Sequence, residues 1–565
     1  MDEKQLLDYA CLRFEEEKYD EALEAFVLAY SKGYEREWIL ENIYACYMAG
    51  NEPAFREAYE KQGFDSGVSY ESCTLDFIPY KDGEYYIFDK KCAEFCGKFS
   101  MVELEHIEPL EALKYVEFSA TAVEFDGNWG QYQELLAEAA NRKIYAVCHD
   151  MQRGMSYWKI PELEKYLTNV RMFSDLDDMQ RYFHEHTAVY LPKIVYGENP
   201  ALSELFDKEH AYRLTPEGRN TDNVLLTIAI PTRNRGYLLH RRLENLMRMT
   251  YDAEIEIVVS KNGTQFYEEE YAQCAKIADA RVRYYDHGKE LKYYENWRSA
   301  IEMSYGKYVV LVSDEDDVCI EAMEHYLKLL RDSSKMNIMR VRGTGELVYY
   351  NEYVYEEKGL AAFARSFLTN NYVSGYVVKR EAFIKENFSK LDVFADNIFY
   401  KYYAHEWWTA ILCKTGDYMI DPVVLIQTGE PSRAVEMDKG TANEAWRQKN
   451  GRILSQYATY QARLEQFLGQ YEFLQWYCEG DQQWMMRGLE RAIQKLCSLY
   501  SLARYHDYDV EHYEYWLGKY IASCVEVIDQ IDMAEEQKGL LLERVRGNVE
   551  FLLKEDSEKR VANAN

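Results

Sequence analysis

Hydrophobic and polar positions over the first sixty residues follow a helical rhythm. Leu7, Ala10 and Phe14, then Tyr19, Ala22, Leu23, Phe26 and Ala29, recur three and four residues apart and so share a helix face. From 63 to 220 the pattern becomes short apolar runs between amphipathic stretches. EYYIF (84–88), YVEFSA (115–120), KIYAV (143–147) and AVYLPKIVY (188–196) predict strands, while 131–142 and 175–186 predict helices. Such alternation describes an α/β module. From 221 to 435 it is stronger: VLLTIAI, EIEIVVS, VRYYDH and KYVVLV are strands separated by helices, and YMIDPVVLIQTGE (418–430) closes the region as a hairpin-like piece. Beyond 436 the helical period returns, with helices predicted at 441–479, 482–504, 508–530 and 533–555 and breaks at Gly480-Asp481 and His506-Asp507. Leu489, Ile493, Leu496 and Leu499 form a stripe suited to a bundle. Four parts follow: 1–62 helical, 63–220 an α/β accessory domain, 221–435 a second α/β domain and 436–565 a C-terminal helical bundle.

Composition narrows the partners. With 47% apolar and 29% charged residues over 565 positions, the chain is globular and long enough for three or four domains. Its 66 basic and 97 acidic residues give a net charge of −31, which repels nucleic-acid phosphates and anionic lipid and leaves room only for a local basic pocket. The 51 tyrosines supply rings suited to cores, grooves and sugar faces. The longest apolar runs, such as Val224 to Ile230, are strand-sized, so no membrane span is expected. The charged opening MDEKQLL leads into a helix pattern, so no signal peptide is expected there. None of the 12 cysteines forms a CxxC pair, and reduced thiols in a cytoplasmic protein are expected rather than zinc. His149-Asp150 after a strand and His184/His186 on a helix are weak candidates, since such histidines are more often structural or solvated.

The chemistry concentrates at three predicted strand ends. The first strand runs into Pro231-Thr232-Arg233-Asn234-Arg235, the second into Lys261-Asn262-Gly263-Thr264, where the glycine suits a tight turn close to a ligand. A helix carrying Asn296, Trp297, Ala300 and Ile301 precedes KYVVLV, which delivers Ser313-Asp314-Glu315-Asp316-Asp317. In open α/β sheets ligands bind outside the carboxyl ends of strands. Four successive acids repel one another unless a cation sits among them, and hard divalent ions prefer carboxylate oxygens and bridge to phosphates. A helix cap is the other use of such a run, but one acid would suffice for that.

The order IPTRNR, VVSKNGT, NWRSAIEMSYGKYVVLVSDEDDV resembles family 2 glycosyltransferases of the GT-A fold, closely over about 110 residues. The stretch EEKYDEALEAF (residues 16–26) resembles half of a tetratricopeptide unit, a capping helical domain being the other reading. The glycosyltransferase resemblance implies inverting transfer of a sugar from a nucleotide diphosphate sugar, with Asp314-Glu315-Asp316 as the DxD motif. Asp316 would ligate Mn²⁺ or Mg²⁺ and Asp314, beside it in the metal pair, would face the sugar or ribose. Pro231, Thr232, Arg233, Lys261, Asn262, Gly263, Asn296, Asp314 and Glu315 become the donor-binding residues. Lys261 departs from the family, which has an Asp there that touches the base or ribose; an ammonium only donates.

Inverting transfer also needs a general base for the acceptor hydroxyl. The resemblance puts it after SGYVVKREAF (374–383), within 391–417, where Glu406 takes the acid position, His405 replaces the usual first acid and Asp396 is the reserve. A Glu at the start of an apolar helix would be held as the anion by the helix dipole. Trp407 and Trp408 are rings for stacking on a sugar or for core packing, and Arg433 is a candidate diphosphate contact. The large accessory mass suggests a bulky acceptor, a surface polysaccharide or a protein such as flagellin, or a protein partner bound through the helical regions. The rival reading is a non-catalytic tetratricopeptide-like scaffold with a degenerate GT-A domain. A nucleotidyltransferase would need a basic Gly-rich loop that IPTRNR lacks.

Overall fold

The computed structural model of the protein describes residues 2–108, 116–263, 266–344, 351–370, 372–429, 446–449, 452–455, 459–505 and 512–564. Two compact units divide the chain, Met1–Arg213 and Leu214–Asn565.

The first unit opens with helices Glu3–Glu15, Tyr19–Ser31, Arg36–Ile43 (continued by the turn Tyr44–Met48) and Glu52–Glu60. Asp2 caps the first in a capping box with Gln5. The predicted apolar face is real: Ala10, Ala22, Leu23, Phe26 and Ala29 are buried, with Ile39, Ile43 and Phe55. Tyr19 differs, being half exposed at the rim of Phe14. That core also takes in Ile78, Tyr80 and Phe88 of an antiparallel meander, β1 (Leu75–Lys81), β2 (Glu84–Asp89) and β3 (Glu94–Ser100). A four-stranded parallel sheet follows, in the order β6-β5-β4-β7, from β4 (Thr121–Phe125), β5 (Ile144–Cys148), β6 (Val170–Phe173) and β7 (Ile194–Tyr196). The expected strand at 115–120 is thus displaced: its described part leads irregularly into β4, with Phe118 packed on Tyr190. Helix Pro200–Arg213 was not legible as a separate element. His184 pairs with Glu209 at 3.3 Å and stacks on Tyr212, whereas His186 stacks on Tyr182, so the two histidines serve separate contacts.

The second unit is built on a nine-stranded mixed sheet: β8 (Leu226–Thr232), β9 (Ile255–Lys261), β10 (Val282–Asp286), β11 (Tyr308–Leu311), β12 (Asp317–Val318), β13 (Met336–Gly343), β14 (Val354–Glu356), β15 (Tyr376–Lys379) and β16 (Asp417–Gln427). The order is β10-β9-β8-β11-β15-β13-β16-β12, with β14 on β16. β10, β9, β8 and β11 are parallel, and β15 then runs antiparallel between β11 and β13. Strands of a parallel half-sheet are buried on both faces, which is why β8, β9 and β11 read as mostly apolar runs; the exceptions Thr227 and Glu256 are buried against each other. Every residue of β8 and β9 is buried.

Of the expected closing bundle, helices Tyr460–Cys478, Gln482–Tyr505, Tyr513–Gln530 and Glu535–Ala564 are present. The first begins nineteen residues later than 441 predicted; Trp446–Lys449 and Arg452–Ser455 pair as antiparallel strands instead, as β-propensity of Trp, Ile and Leu in that stretch allows. These helices share one core with the sheet. Trp407 stacks on Phe473 with centroids 4.3 Å apart and planes 12° from parallel. The break at His506-Asp507, and Thr264 and Arg433, lie outside the described residues.

Candidate active site

The three strand-end loops meet. β8 and β11 are adjacent and parallel, so Thr232 and Asp314 leave the same edge. Thr232 Oγ1 donates to Asp314 Oδ2 at 2.6 Å and accepts a hydrogen bond from the Tyr271 hydroxyl at 2.7 Å, and Tyr271 in turn accepts the Arg235 N–H at 3.0 Å. The second loop joins the first where Asn262 N–H donates to Thr232 O at 2.9 Å. Asn262 closes a two-way amide clasp with Leu291: its Nδ2 donates to Leu291 O at 2.8 Å, and Leu291 N–H donates to its Oδ1 at 2.6 Å. Gly263 answers packing more than ligand approach, since a Cβ there would sit 2.6 Å from the Lys289 carbonyl carbon.

Pro231 is buried within β8. Asn234 adopts a left-handed conformation (φ 56°) that asparagine tolerates, and just beyond it Arg235 reaches the acids. Arg235 Nη1 lies 3.0 Å from Asp314 Oδ1 and 3.5 Å from Glu315 Oε2. Arg233 instead pairs with Glu290 at 2.7 Å, beside the second loop. Arg242 holds Asp317 at 2.7 Å and donates to Glu315 O at 2.6 Å. Two arginines therefore supply much of the positive charge that the run of acids was expected to require from a cation.

Asp316 is the exception. Its carboxylate is buried and, among the described residues, meets no cationic side chain. Ser374 Oγ and Tyr372 OH both donate to Oδ2 at 2.5 Å, and Gly429 N–H donates to Oδ1 at 3.0 Å. Burial still outweighs these bonds and pushes the Asp316 pKa above the usual carboxylate range. Position 429 admits only glycine, because a Cβ would overlap Glu315 O. An ionised carboxylate offers about four acceptor positions. Three are filled and one, on Oδ1, is left. A buried anion without a cation, next to Asp314 and with an acceptor position remaining, fits a hard divalent ion.

Lys261 is buried at the end of β9, next to its register partner Asp286 on β10. Burial disfavours its charge, but hydrogen bonds to Asp286 (2.8 Å) and Glu268 (3.2 Å) hold its pKa above the ordinary lysine value. The acid missing from position 261 is thus matched by two acids facing its ammonium. Asn296 accepts from Ser260 Oγ at 2.7 Å and braces the end of β9 from within the core.

Glu406 is not at a helix start. It lies in the middle of helix Ile398–Leu412, past an irregular residue at Tyr403, and is fully buried against Arg340 Nη2 at 2.7 Å. No acceptor hydroxyl reaches it there. Burial pushes its pKa up while Arg340 opposes the shift. His405, equally buried, is held neutral, its pKa far below the ordinary value through burial and the nearby Arg340 charge. Trp407 and Trp408 are fully buried core residues: Trp407 faces the C-terminal helices through Phe473, and Trp408 packs on Phe383 and Phe388. Asp396 is exposed, and its charge is felt by Lys292, next to the Leu291 clasp.

Sequence reasoning named Arg235 at the first strand end without giving it a role, and passed over Arg242, Tyr271 and Tyr372. Arg235 stands at the end of the quoted IPTRNR run and Arg242 in the helix that follows, and their charges face Asp314, Glu315 and Asp317. Tyr271 and Tyr372 carry no local signal among 51 tyrosines. No group of histidine, cysteine and acid side chains forms a ready-made metal cage among the described residues.

A parallel half-sheet whose strand-end loops gather acids at one rim is where open α/β sheets bind ligands, and the mixed sheet built on it is GT-A-like. Residues 227–391 match the Glycosyl transferase family 2 model, and this stretch is a domain of that family. No curated protein sequence matches the chain. Among solved structures, S. aureus TarS aligns at 9% identity over 59% of this chain and 54% of its own, with a TM-score of 0.37, so the chain spans about half of that relative. S. aureus TarS 1-349 in complex with UDP-GlcNAc aligns at 10% over 60% of this chain and 92% of its own, TM-score 0.37. Mannosyltransferase PcManGT from Pyrobaculum calidifontis in complex with GDP-Man and Mn2+ aligns at 10% over 63% and 94%, TM-score 0.31.

Proposed function

We propose that the second unit transfers a sugar, with inversion, from a nucleotide diphosphate sugar to an acceptor hydroxyl, in the cytoplasm. The observation that carries this is the convergence of Thr232, Arg235 and Asp314 with a cation-free Asp316 at one sheet edge. Asp316 with Asp314 would hold Mn²⁺ or Mg²⁺, which would bind the donor's diphosphate and offset charge on the leaving group. Arg235 stands ready to share its charge between Asp314 and the same phosphates. Lys261, Asn262, Gly263 and Arg233 line the nucleoside side of the rim.

For the base we favour Asp396, the exposed member of the candidate pair, since the acid that takes the acceptor's proton must be reachable. Twelve free thiols agree with a reducing compartment, and among the described residues no helix is long and apolar enough to cross a membrane. The first unit and the C-terminal helices would then meet a bulky glycan or protein acceptor or a protein partner. A thermal-shift screen of nucleoside diphosphates with and without Mn²⁺ tests the reading. A shift for one nucleotide that needs metal and vanishes in Asp316→Ala is expected, because ligand binding raises apparent stability by mass action. Hydrolysis of every common donor at equal rates by wild type and Asp316→Ala would favour the non-catalytic scaffold instead.

A further inference from the structure

A metal-holding carboxylate must present its free oxygen in a fixed direction, and what fixes Asp316 lies outside the three strand-end loops. Both acceptor positions of Oδ2 are taken by Tyr372 and Ser374. Ser374 Oγ also accepts the Ser313 N–H at 2.8 Å, so it grips the acid loop twice. Pinning Oδ2 removes rotation of the carboxylate and leaves one direction open on Oδ1. The segment bearing these two side chains lies between helix Leu360–Ser366 and β15, and its described residues form no strand.

Two guanidiniums hold it. Arg340, on β13, donates from Nη1 to Tyr372 O at 3.1 Å and from Nη2 to Asn370 O at 3.2 Å. Arg491, on helix Gln482–Tyr505, donates from Nε to Phe367 O at 3.0 Å and from Nη2 to Thr369 Oγ1 at 3.0 Å. Glu406 completes the arrangement by anchoring Arg340. A planar fork satisfies two acceptors at set angles, which lysine cannot copy.

We propose that Arg340 and Arg491 are positioning residues: they hold Tyr372 and Ser374 so that Asp316 presents one oxygen to the cation, and the C-terminal helices thereby take part in building the donor site. This rests on the reading of Asp316 as the metal ligand. Glu406 belongs to the same support, acting through Arg340 rather than on substrate.

Mn²⁺ binding to the full chain, read from the loss of the free-ion electron paramagnetic resonance signal with UDP or GDP present, tests it. Tyr372→Phe removes one oxygen and Arg491→Ala one fork. Each is expected to weaken Mn²⁺ about tenfold, the scale of one hydrogen bond to a charged group. Arg487→Ala, on the same helix and paired with Glu490, is expected to bind as wild type does. Arg491→Lys should recover only part of the loss. Wild-type affinity in both Tyr372→Phe and Arg491→Ala, while Asp316→Ala has lost the ion, overturns the positioning role alone. Equal weakening by Arg487→Ala also overturns it, by assigning the effect to the helix as a whole. If wild type takes up no Mn²⁺, the metal reading falls and this proposal falls with it. Should Arg491→Ala not fold, Tyr372→Phe alone decides.

Discussion

Removing the Glu406 carboxylate separates two accounts of that residue by their opposite signatures. Glu406 is fully buried and the Arg340 side chain 4% exposed, at 2.7 Å. Breaking a buried ion pair from one side costs about 3–5 kcal/mol, because the remaining charge is stranded. Arg340 keeps two carbonyl partners, Asn370 O and Tyr372 O, so Glu406→Ala should fall near the lower end. About 3 kcal/mol is roughly two powers of ten in the folding equilibrium. Glu406→Gln keeps an acceptor for Arg340 and loses only the charge, so about 1.5 kcal/mol is expected. Urea unfolding followed by tryptophan fluorescence measures both, and donor hydrolysis is assayed in parallel. The reasoning is refuted if Glu406→Gln unfolds at the wild-type midpoint yet has lost all turnover, the behaviour of an accessible base.

Three further outcomes follow from the same geometry. His405 is kept neutral in the fold, its pKa depressed far below 6.5, so the unfolded chain takes up a proton that the native one refuses. Its stabilisation is present above pH 6.5 and lost below it by about 1.4 kcal/mol per pH unit, so His405→Phe should flatten the acid limb of the stability curve; an unchanged slope would contradict this. Lys261→Asp, which restores the family's usual residue, would place three acids together with Asp286 and Glu268, and a lower melting temperature without tighter nucleotide binding is expected. Gly306→Ala would bring a Cβ within 2.6 Å of Thr227 N and Oγ1, forcing β8 and β11 apart; calorimetry should register a loss of about 1–3 kcal/mol.

The parallel half-sheet was legible because its strands are buried on both faces and end in polar loops, a pattern that survives without any knowledge of partners. The meeting of Thr232, Asn262 and Asp314 was legible for the same reason: position at a strand end already implies meeting at the rim. Glu406 misled because acidity next to an aromatic helix looks alike whether the acid faces solvent or an arginine sixty-six residues earlier in the chain, and only the fold brings Arg340 to it. Trp407 and Trp408 were ambiguous on the same ground. The strand expected at 115–120 slid because apolar content marks a neighbourhood better than an end, and the true strand, Thr121–Phe125, begins where β-branched Thr121 follows.

The stacking of Trp407 on Phe473 has a practical corollary. Trimming the protein back to its sheet would lay bare an indole face and the apolar lining around it, and the product should precipitate or need detergent. The C-terminal helices are therefore a poor cassette for exchange between related enzymes, since any donor helix would have to bring a ring of the right size to the same spot.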